Sequence, residues 1–218
     1  MDWLRRMNSA MDYIEALLNS KQEFESRNQM KKHLSEMTLE ELWELFPIFL
    51  TEHQTCWDNW YEDELRNLQQ ILPMEEVARI SHIGSTSIKA IWAKPIVDIM
   101  VETVPGSDWG VMKGKLINGG YLCMCEDSRR ISFNKGYTEN GFADKVYHLH
   151  LRHLGDNDEL YFRDYLIEYP QVAKAYEELK LSLWKKYEHN RDAYTESKTD
   201  FIKKYTQKAK GFYAERYR

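Results

Sequence analysis

The stretch PIVDIMVETV, residues 95–104, is the feature that most limits what this chain can fold into. Its density of aliphatic and β-branched residues is typical of a buried strand of about six to eight residues. Asp98 stands within this apolar run, where an ionised carboxylate is costly unless it is paired or bound to a metal. The pattern therefore predicts either a functional carboxylate or a buried salt bridge with Lys94 or an arginine.

The other apolar patterns predict an α+β (mixed α/β) domain, with a small mixed β-sheet flanked by helices and a long helical C-terminus. Helical segments are recognised by apolar residues three and four positions apart, and strands by alternation or short β-rich runs. Helices are predicted over residues 38–45, 55–72, 164–167 and 171–187, and from Thr195 onward. Strands are predicted at RISHIGS, PIVDIMVETV, YLCMC, residues 128–136 and VYHLHLRHL.

Residues 2–18, DWLRRMNSAMDYIEALL, have apolar side chains at helical spacing and predict an amphipathic helix that needs a partner surface. The stretch resembles the opening of AraC-type transcription regulators, but no helix-turn-helix pair follows it. We expect a helical leader over residues 1–30 and a main domain over residues 31–218. The apolar stripe is expected to pack on the body or on a second subunit, so a homo-oligomer through this helix stays open.

Charge is distributed unevenly along the chain. The formal net charge is −5, yet residues 170–218 hold 12 Lys and Arg against 7 Asp and Glu. Such a segment can neutralise phosphates, although interspersed acids are more typical of a solvated helix face. No apolar run resembles a signal peptide or reaches the roughly 18 residues of a membrane span. We expect a cytoplasmic protein without membrane contact, and nucleic-acid binding is not expected.

The motif HIGSTS, residues 82–87, predicts a strand that ends in a tight turn. Gly84 lets the backbone approach a ligand closely, and the Ser85 and Thr86 hydroxyls can hold a phosphate together with exposed backbone N–H groups. The alternative is an ordinary turn in which Ser85 caps a helix. The motif alone does not separate the two.

Several residues of interest on the predicted strands share a face by period-two geometry. Asp98, Met100 and Glu102 form one such set, in which Glu102 is too far along the strand to share an ion with Asp98. His148 and His150 form another. These histidines can ligate a metal, act as acid or base, or donate to a phosphate, and the alternative is a hydrogen-bonded core position.

Two arginines and one lysine are candidates for binding an anionic substrate. Arg163, in YFRDYL, can clamp a phosphate or carboxylate with two hydrogen bonds, or it can form a local ion pair. Arg130, in SRRISFNKG, can frame an anionic substrate or lie in solvent. Lys94 is expected near the rim of the cleft.

The motifs HIGSTS, AKPIVDI, YHLHL, FRDYL, YEELK and YTESKTDFI follow one another in the order typical of the GrpB family, and over residues 45–210 the chain strongly resembles that family. The resemblance implies a nucleotidyltransferase-like fold in which the Gly-Ser turn and the acidic strand form a nucleotide site. Active members of that superfamily hold two Mg²⁺ ions with paired carboxylates. Asp98 matches the first carboxylate, while Met100 stands at the position of the second.

The resemblance implies metal-dependent nucleotidyl or phosphoryl transfer from a nucleotide to a small acceptor. Ser85 and Thr86 would bind phosphate, Asp98 would bind Mg²⁺, and His150, with His148 beside it, would lie near the reacting oxygen. Ser85, Asp98 and His150 are then expected in one cleft, with Mg²⁺ arriving only with a triphosphate. The alternative, motivated by Met100, is a non-catalytic module that binds a nucleotide or metabolite. A DNA-binding regulator rests only on the leader and the basic C-terminus.

Overall fold

The computed structural model describes residues 32–214, 216 and 217. From Leu39 onward the described residues form one compact unit, and a short 3-10 turn, Leu34–Glu36, precedes it. The helix predicted over residues 2–18 lies outside the described residues. The leader over residues 1–30 and the oligomer contact expected of it lie outside them as well.

Along the chain two helices are followed by two strands, one helix, three strands and four helices. Seven α-helices are described: α1 (Leu39–Leu45), α2 (Cys56–Ile71), α3 (Trp109–Asn118), α4 (Asp158–Glu168), α5 (Pro170–Lys186), α6 (Arg191–Glu196) and α7 (Thr199–Phe212). Five strands are described: β1 (Val77–Ile83), β2 (Val97–Thr103), β3 (Leu122–Glu126), β4 (Arg130–Thr138) and β5 (Gly141–His153). Short 3-10 turns lie at Met74–Glu76 and Ser85–Ser87.

The five strands form one mixed sheet in the order β1-β2-β5-β4-β3. The pairing of β2 with β5 is parallel, and the other three pairings are antiparallel. In this register Asp98 lies opposite Ile83 on one side and opposite His148 on the other. The α+β class and the mixed sheet flanked by helices are thereby confirmed.

The two faces of the sheet differ in chemistry because side chains alternate along each strand. One face carries apolar residues such as Ile99 and Leu149, which pack with Trp57 of α2 and Leu116 of α3 into the main core. The opposite face carries the polar residues of β2 and β5, beneath the C-terminal helices. Those polar residues are Asp98, Glu102, His148, His150 and Arg152.

Most predicted elements are confirmed with small shifts of their ends. Trp109–Asn118 forms a helix that its sequence pattern does not predict. It buries Met112 and Leu116 completely, and Trp109 packs partly buried against the main core. The predicted start of the final helix at Thr195 is wrong. That segment forms two helices, α6 and α7, which are separated at residues 197–198.

In the described part of the chain, no helix has the length and apolar character needed to cross a membrane.

Candidate functional site

A cavity of about 260 Å³ opens at the edge of the sheet where β1 ends and β2 begins. Its walls come from the Gly84–Thr86 turn, the loop before β2, strands β2 and β5, helices α5 and α6, and Lys198 just before α7. Of the described residues that line it, four are Lys or Arg and one, Asp98, is acidic. The lining residues are Leu50, Gly84, Ser85, Thr86, Lys94, Ile96, Asp98, His148, Tyr176, Lys180, Arg191, Tyr194, Thr195 and Lys198.

The turn after β1 brings the backbone of Gly84 directly against Asp98. Gly84 has φ 70° and ψ −171°, a conformation that is open essentially to glycine alone. A Cβ atom at this position would lie 2.2 Å from Oδ2 of Asp98. Glycine is therefore required here both for its backbone angles and for the close approach of the acidic strand.

The three hydroxyls of the turn have different partners. Thr86, which is buried, has its Oγ1 atom 3.0 Å from Nε2 of His82, and Ser87 donates to the carbonyl of Gly84 over 2.6 Å. The Oγ atom of Ser85 instead accepts a hydrogen bond from Nζ of Lys180 at 3.0 Å. The Ser85 hydroxyl is thus paired with the amine of Lys180 on the cavity wall.

Asp98 is held by the two histidines of β5. Its Oδ1 atom lies 3.2 Å from Nδ1 of His148 and 3.8 Å from Nε2 of His150. Burial raises the pKa of Asp98, but the side-chain hydrogen bonds from His148 and His150 outweigh burial and hold the pKa well below its usual range. Asp98 is therefore an ionised acid that is already partnered inside the protein.

The contacts of His148 define its tautomer. Its Nε2 atom lies 2.8 Å from the Tyr137 hydroxyl and 3.2 Å from Nη2 of Arg191. Because arginine donates and never accepts, Nε2 is the accepting nitrogen, and Nδ1 carries the proton that is donated to Asp98. Burial lowers the pKa of His148 despite the nearby Asp98, which agrees with this neutral form.

Burial also lowers the pKa of the three lysines that line the cavity. It lowers the pKa of Lys180 to about 7, with Lys198 adding to the effect, and that of Lys198 to about 8. The pKa of Lys94 is lowered well below its usual value, by burial and then by the charges of Arg191 and Lys198. Lys94 and Lys198 both lie over the ring of Tyr194, at 5.4 and 4.1 Å from its centroid. An anion in the cavity would favour the charged form of Lys94 and Lys198.

The structure brings together several of the residues that the sequence predicts. Gly84, Ser85, Thr86, Lys94, Asp98 and His148 all line the cavity. His150 reaches the cavity through Asp98, and its Nδ1 atom is buried without a hydrogen-bond partner among the described residues.

Other candidates have structural partners elsewhere. Arg163 pairs with Asp164 at 2.8 Å and donates to the carbonyl of His82, so it secures the end of β1 from outside the cavity. Arg130 forms a two-point ion pair with Asp156 at 3.1 Å, and neither residue lines the cavity. Arg163 therefore follows its local ion-pair alternative, whereas Arg130, for which the alternative was solvent exposure, forms an ion pair, and neither arginine lines the cavity.

Met100 and Glu102 lie further along β2 than Asp98 and have surroundings that differ from those of the cavity. Met100 is fully buried in an apolar cluster with Ile83 and Leu160. Glu102, also fully buried, accepts from Arg79 at 2.5 Å and from Asn157 at 3.0 Å. Neither side chain lines the cavity, and Glu102 belongs to a separate structural ion cluster.

Sequence patterns miss five residues that complete the cavity. They are Tyr176, Lys180, Arg191, Tyr194 and Lys198, all from the C-terminal helices and the short segment between α6 and α7. The signal that could have found them is the excess of Lys and Arg over residues 170–218. That excess is also typical of a solvated face, so charge alone does not identify which lysines turn inward.

Mg²⁺ does not fit the side chains around Asp98. A hard cation prefers a shell of oxygen ligands, whereas the groups nearest this carboxylate are imidazoles. Within residues 32–214, 216 and 217, no group of three or more His, Cys, Asp or Glu is arranged to hold a metal.

Known proteins resemble this chain over most of its length. The family model of GrpB protein matches residues 47–208. The glutamate-rich protein GrpB of Alkalihalophilus pseudofirmus is 34% identical over 71% of this chain and 91% of its own length. Two other curated relatives are longer, and the chain spans 61% and 45% of their lengths.

Solved structures give the same picture. The crystal structure of conserved protein GrpB from Enterococcus faecalis matches with a TM-score of 0.67 and 31% identity, covering 77% of this chain and 100% of that chain. The Cid1 poly(U) polymerase matches at a TM-score of 0.43 and 14% identity over 67% of this chain and 45% of that chain, too little to transfer a function. The resemblance found in the sequence motifs is confirmed, and the chain belongs to the GrpB family.

Proposed function

We propose that the cavity binds the phosphate group of a nucleotide or of another phosphorylated metabolite, directly through its cationic side chains. The observation that carries this proposal is the charge of the lining, where Lys94, Lys180, Arg191 and Lys198 face a single carboxylate. Burying unpaired cations is costly, and a bound anion would offset that cost. The cavity is therefore best suited to an anionic ligand without a bridging metal ion.

The parts of the cavity have separate roles in this proposal. Lys180 and Ser85, already in contact at 3.0 Å, would bind one side of the phosphate. Arg191 and Lys198 come from the segment over residues 191–198 and would close on the opposite side. Asp98 would repel the anion. Its role is to hold His148 in the tautomer whose Nε2 atom accepts hydrogen bonds, with Tyr137 and Arg191 as the neighbouring groups.

The competing function is Mg²⁺-dependent nucleotidyl or phosphoryl transfer to a small acceptor. One observation favours it, the direct contact of the Gly84 turn with Asp98, since this juxtaposition is what the family resemblance implies for a nucleotide site. The two functions make opposite demands on Asp98. A directly bound anion is repelled by this carboxylate, whereas a metal-bridged nucleotide depends on it.

Calorimetry of inorganic phosphate and of a non-hydrolysable ATP analogue, each with EDTA and with Mg²⁺, would test the proposal. We expect binding in EDTA, and tighter binding by Asp98→Asn, because the amide keeps the hydrogen bond from His148 and removes the repulsion. Lys198→Met should weaken binding about tenfold or more, as loss of a charge-assisted hydrogen bond does. Lys203→Met is the matched control, since Lys203 is an exposed lysine on α7.

The outcome that would overturn the proposal is binding that requires Mg²⁺ and is weakened by Asp98→Asn. That result would favour the metal-dependent transferase. Equal loss of affinity in Lys198→Met and Lys203→Met would also contradict the proposal, because it would show a general charge effect rather than a site in the cavity.

A further inference from the structure

Ser85 and Lys180 form a close, enclosed pair of a hydroxyl and an amine. Nζ of Lys180 lies 3.0 Å from Oγ of Ser85, and the two residues are 95 positions apart in the chain. Lys180 is only 2% exposed, while Ser85 is half-buried and opens onto the cavity. A distance of this size is within the range over which a base takes the proton of a nucleophile.

The surroundings of Lys180 favour a neutral amine. Among the described residues, its hydrogen-bond partners are Ser85 and the carbonyl oxygen of Trp92, both uncharged. Glu177, one turn earlier on α5, is occupied by the backbone N–H of Trp92 and by Lys174. The pKa of Lys180, lowered to about 7 by burial and by Lys198 against the opposing charge of Glu177, leaves much of the amine unprotonated near neutrality.

The position of Lys180 is fixed by the loop before β2. Glu177 accepts the backbone N–H of Trp92 at 2.8 Å, and Lys180 donates to the backbone carbonyl of the same residue. Two side chains of one helix thus hold the backbone N–H and the backbone carbonyl of one residue, Trp92. A neutral Lys180 can keep its bond to Trp92 and accept the Ser85 hydroxyl proton at the same time.

We propose that Ser85 is a nucleophile and Lys180 its general base, and that together they take a phosphoryl group from a phosphoric anhydride bound in the cavity. This inference rests on the proposed phosphate-binding function. Oγ of Ser85 forms a bond to phosphorus as the bond from phosphorus to the leaving oxygen breaks. The Ser85 proton passes to Nζ of Lys180, and the leaving carboxylate or phosphate departs as an anion. The product is a phosphoserine at position 85.

The rest of the cavity suits this transfer. A phosphoryl transition state spreads negative charge over its peripheral oxygens, and fixed cations in an enclosed site stabilise that charge. Arg191 and Lys198, which also line the cavity, supply such cations. Lys180, once protonated, adds a third positive charge beside the new phosphoserine.

The test incubates the full chain with acetyl phosphate in EDTA and follows two readouts. Mass spectrometry locates any phosphoserine, and acetyl phosphate consumption detects turnover if the phosphoserine hydrolyses. We expect phosphoserine at Ser85, or consumption that Ser85→Ala abolishes. Lys180→Arg keeps the positive charge but cannot act as a base, and it should slow the reaction roughly 100-fold or more. Ser87→Ala, in the same turn, is the matched control and should react like the original chain.

Calorimetry of inorganic phosphate on the same samples separates phosphate binding by the cavity from the reaction at Ser85. Phosphate binding without reaction at Ser85, or reaction that Lys180→Arg leaves unchanged, overturns the nucleophile and base while the binding function stands. Absence of phosphate binding overturns both. Because the labelled position is read in the original chain, the result does not depend on how well Lys180→Arg folds.

Discussion

The Nε2 atom of His148 lies 3.2 Å from the Nη2 atom of Arg191, so a histidine in the sheet and an arginine of a C-terminal helix share one side of the cavity. This contact keeps His148 neutral, since a protonated ring would present an N–H group to a guanidinium. Protonation would also add a cation near Lys94, which already lowers the His148 pKa. The cavity therefore depends on an uncharged imidazole.

We predict that the protein loses stability as the pH falls from 6.5 toward 4. Burial lowers the pKa of His82 from 6.5 to about 4, and it also lowers that of His148. Over this range the unfolded chain binds protons that the folded chain does not, so stability rises with pH and is lost on acidification. Each such group changes the free energy of unfolding by at most about 1.4 kcal/mol per pH unit. Urea unfolding across this range measures the slope.

His82→Gln separates the His82 contribution from that of His148. Glutamine keeps a polar group near Thr86 and does not titrate, so the slope between pH 6.5 and 4 should become shallower even if the variant is less stable throughout. An unchanged slope in His82→Gln would show that His82 titrates normally in the folded protein.

A second prediction concerns anion binding at higher pH. Lys180 and Lys198, whose pKa values burial lowers to about 7 and about 8, lose their protons as the pH rises through that range. Affinity for an anion should then fall, while the unliganded protein gains stability, because its unfolded chain stays protonated up to higher pH. Sulfate is the suitable probe because its own charge stays constant here. Calorimetry showing equal sulfate affinity on both sides of this range would contradict the assignment.

Period-two geometry explains how much of the site is readable in the sequence. The alternation along β2 puts Asp98 on one face and sends its apolar neighbours to the core, and the Gly84-Ser85 turn follows directly from HIGSTS. The sequence pattern does not predict which strand lies beside Asp98. The contact with His148 joins residues 50 positions apart through a parallel pairing, which local spacing does not encode.

The lysines and the arginine that the C-terminal helices contribute to the cavity are not predicted either, because their contacts also join residues far apart in the chain. Lys180 lies on a helix rich in lysines, and its neighbours Lys185 and Lys186 belong to the same basic pattern. What distinguishes Lys180 is that α5 turns it toward Ser85, a contact across 95 positions. Helical spacing predicts which residues share one face of a helix, but not what that face packs against. Lysines that point into the cavity and lysines that point into solvent are therefore indistinguishable in the sequence.

A third prediction uses the close approach at Gly84. Gly84→Ala combines strained backbone angles, which cost roughly 1 to 3 kcal/mol, with a Cβ atom that displaces the Asp98 carboxylate. Gly106→Ala is the control, because Gly106 has φ 88° but no atom within 4 Å of the added Cβ, so only roughly 1 to 2 kcal/mol of backbone strain applies. Chemical unfolding should rank Gly84→Ala as the less stable variant. Equal losses would show that Asp98 moves aside freely.

The last prediction concerns Met100, which stands where the family resemblance implies a second metal-binding carboxylate. Met100 is fully buried among Ile83 and Leu160, so an aspartate there would place a carboxyl group in apolar surroundings instead of in the cavity. Met100→Asp should therefore lower the free energy of unfolding by roughly 2 to 7 kcal/mol. Met100→Leu preserves the apolar contacts and should cost less than about 1.5 kcal/mol. Calorimetric titration with Mg²⁺ should show no gain in affinity for Met100→Asp. A stable Met100→Asp protein that binds Mg²⁺ more tightly than the original chain would mean that this strand can turn its side chain toward the cavity, and would restore the two-carboxylate site to consideration.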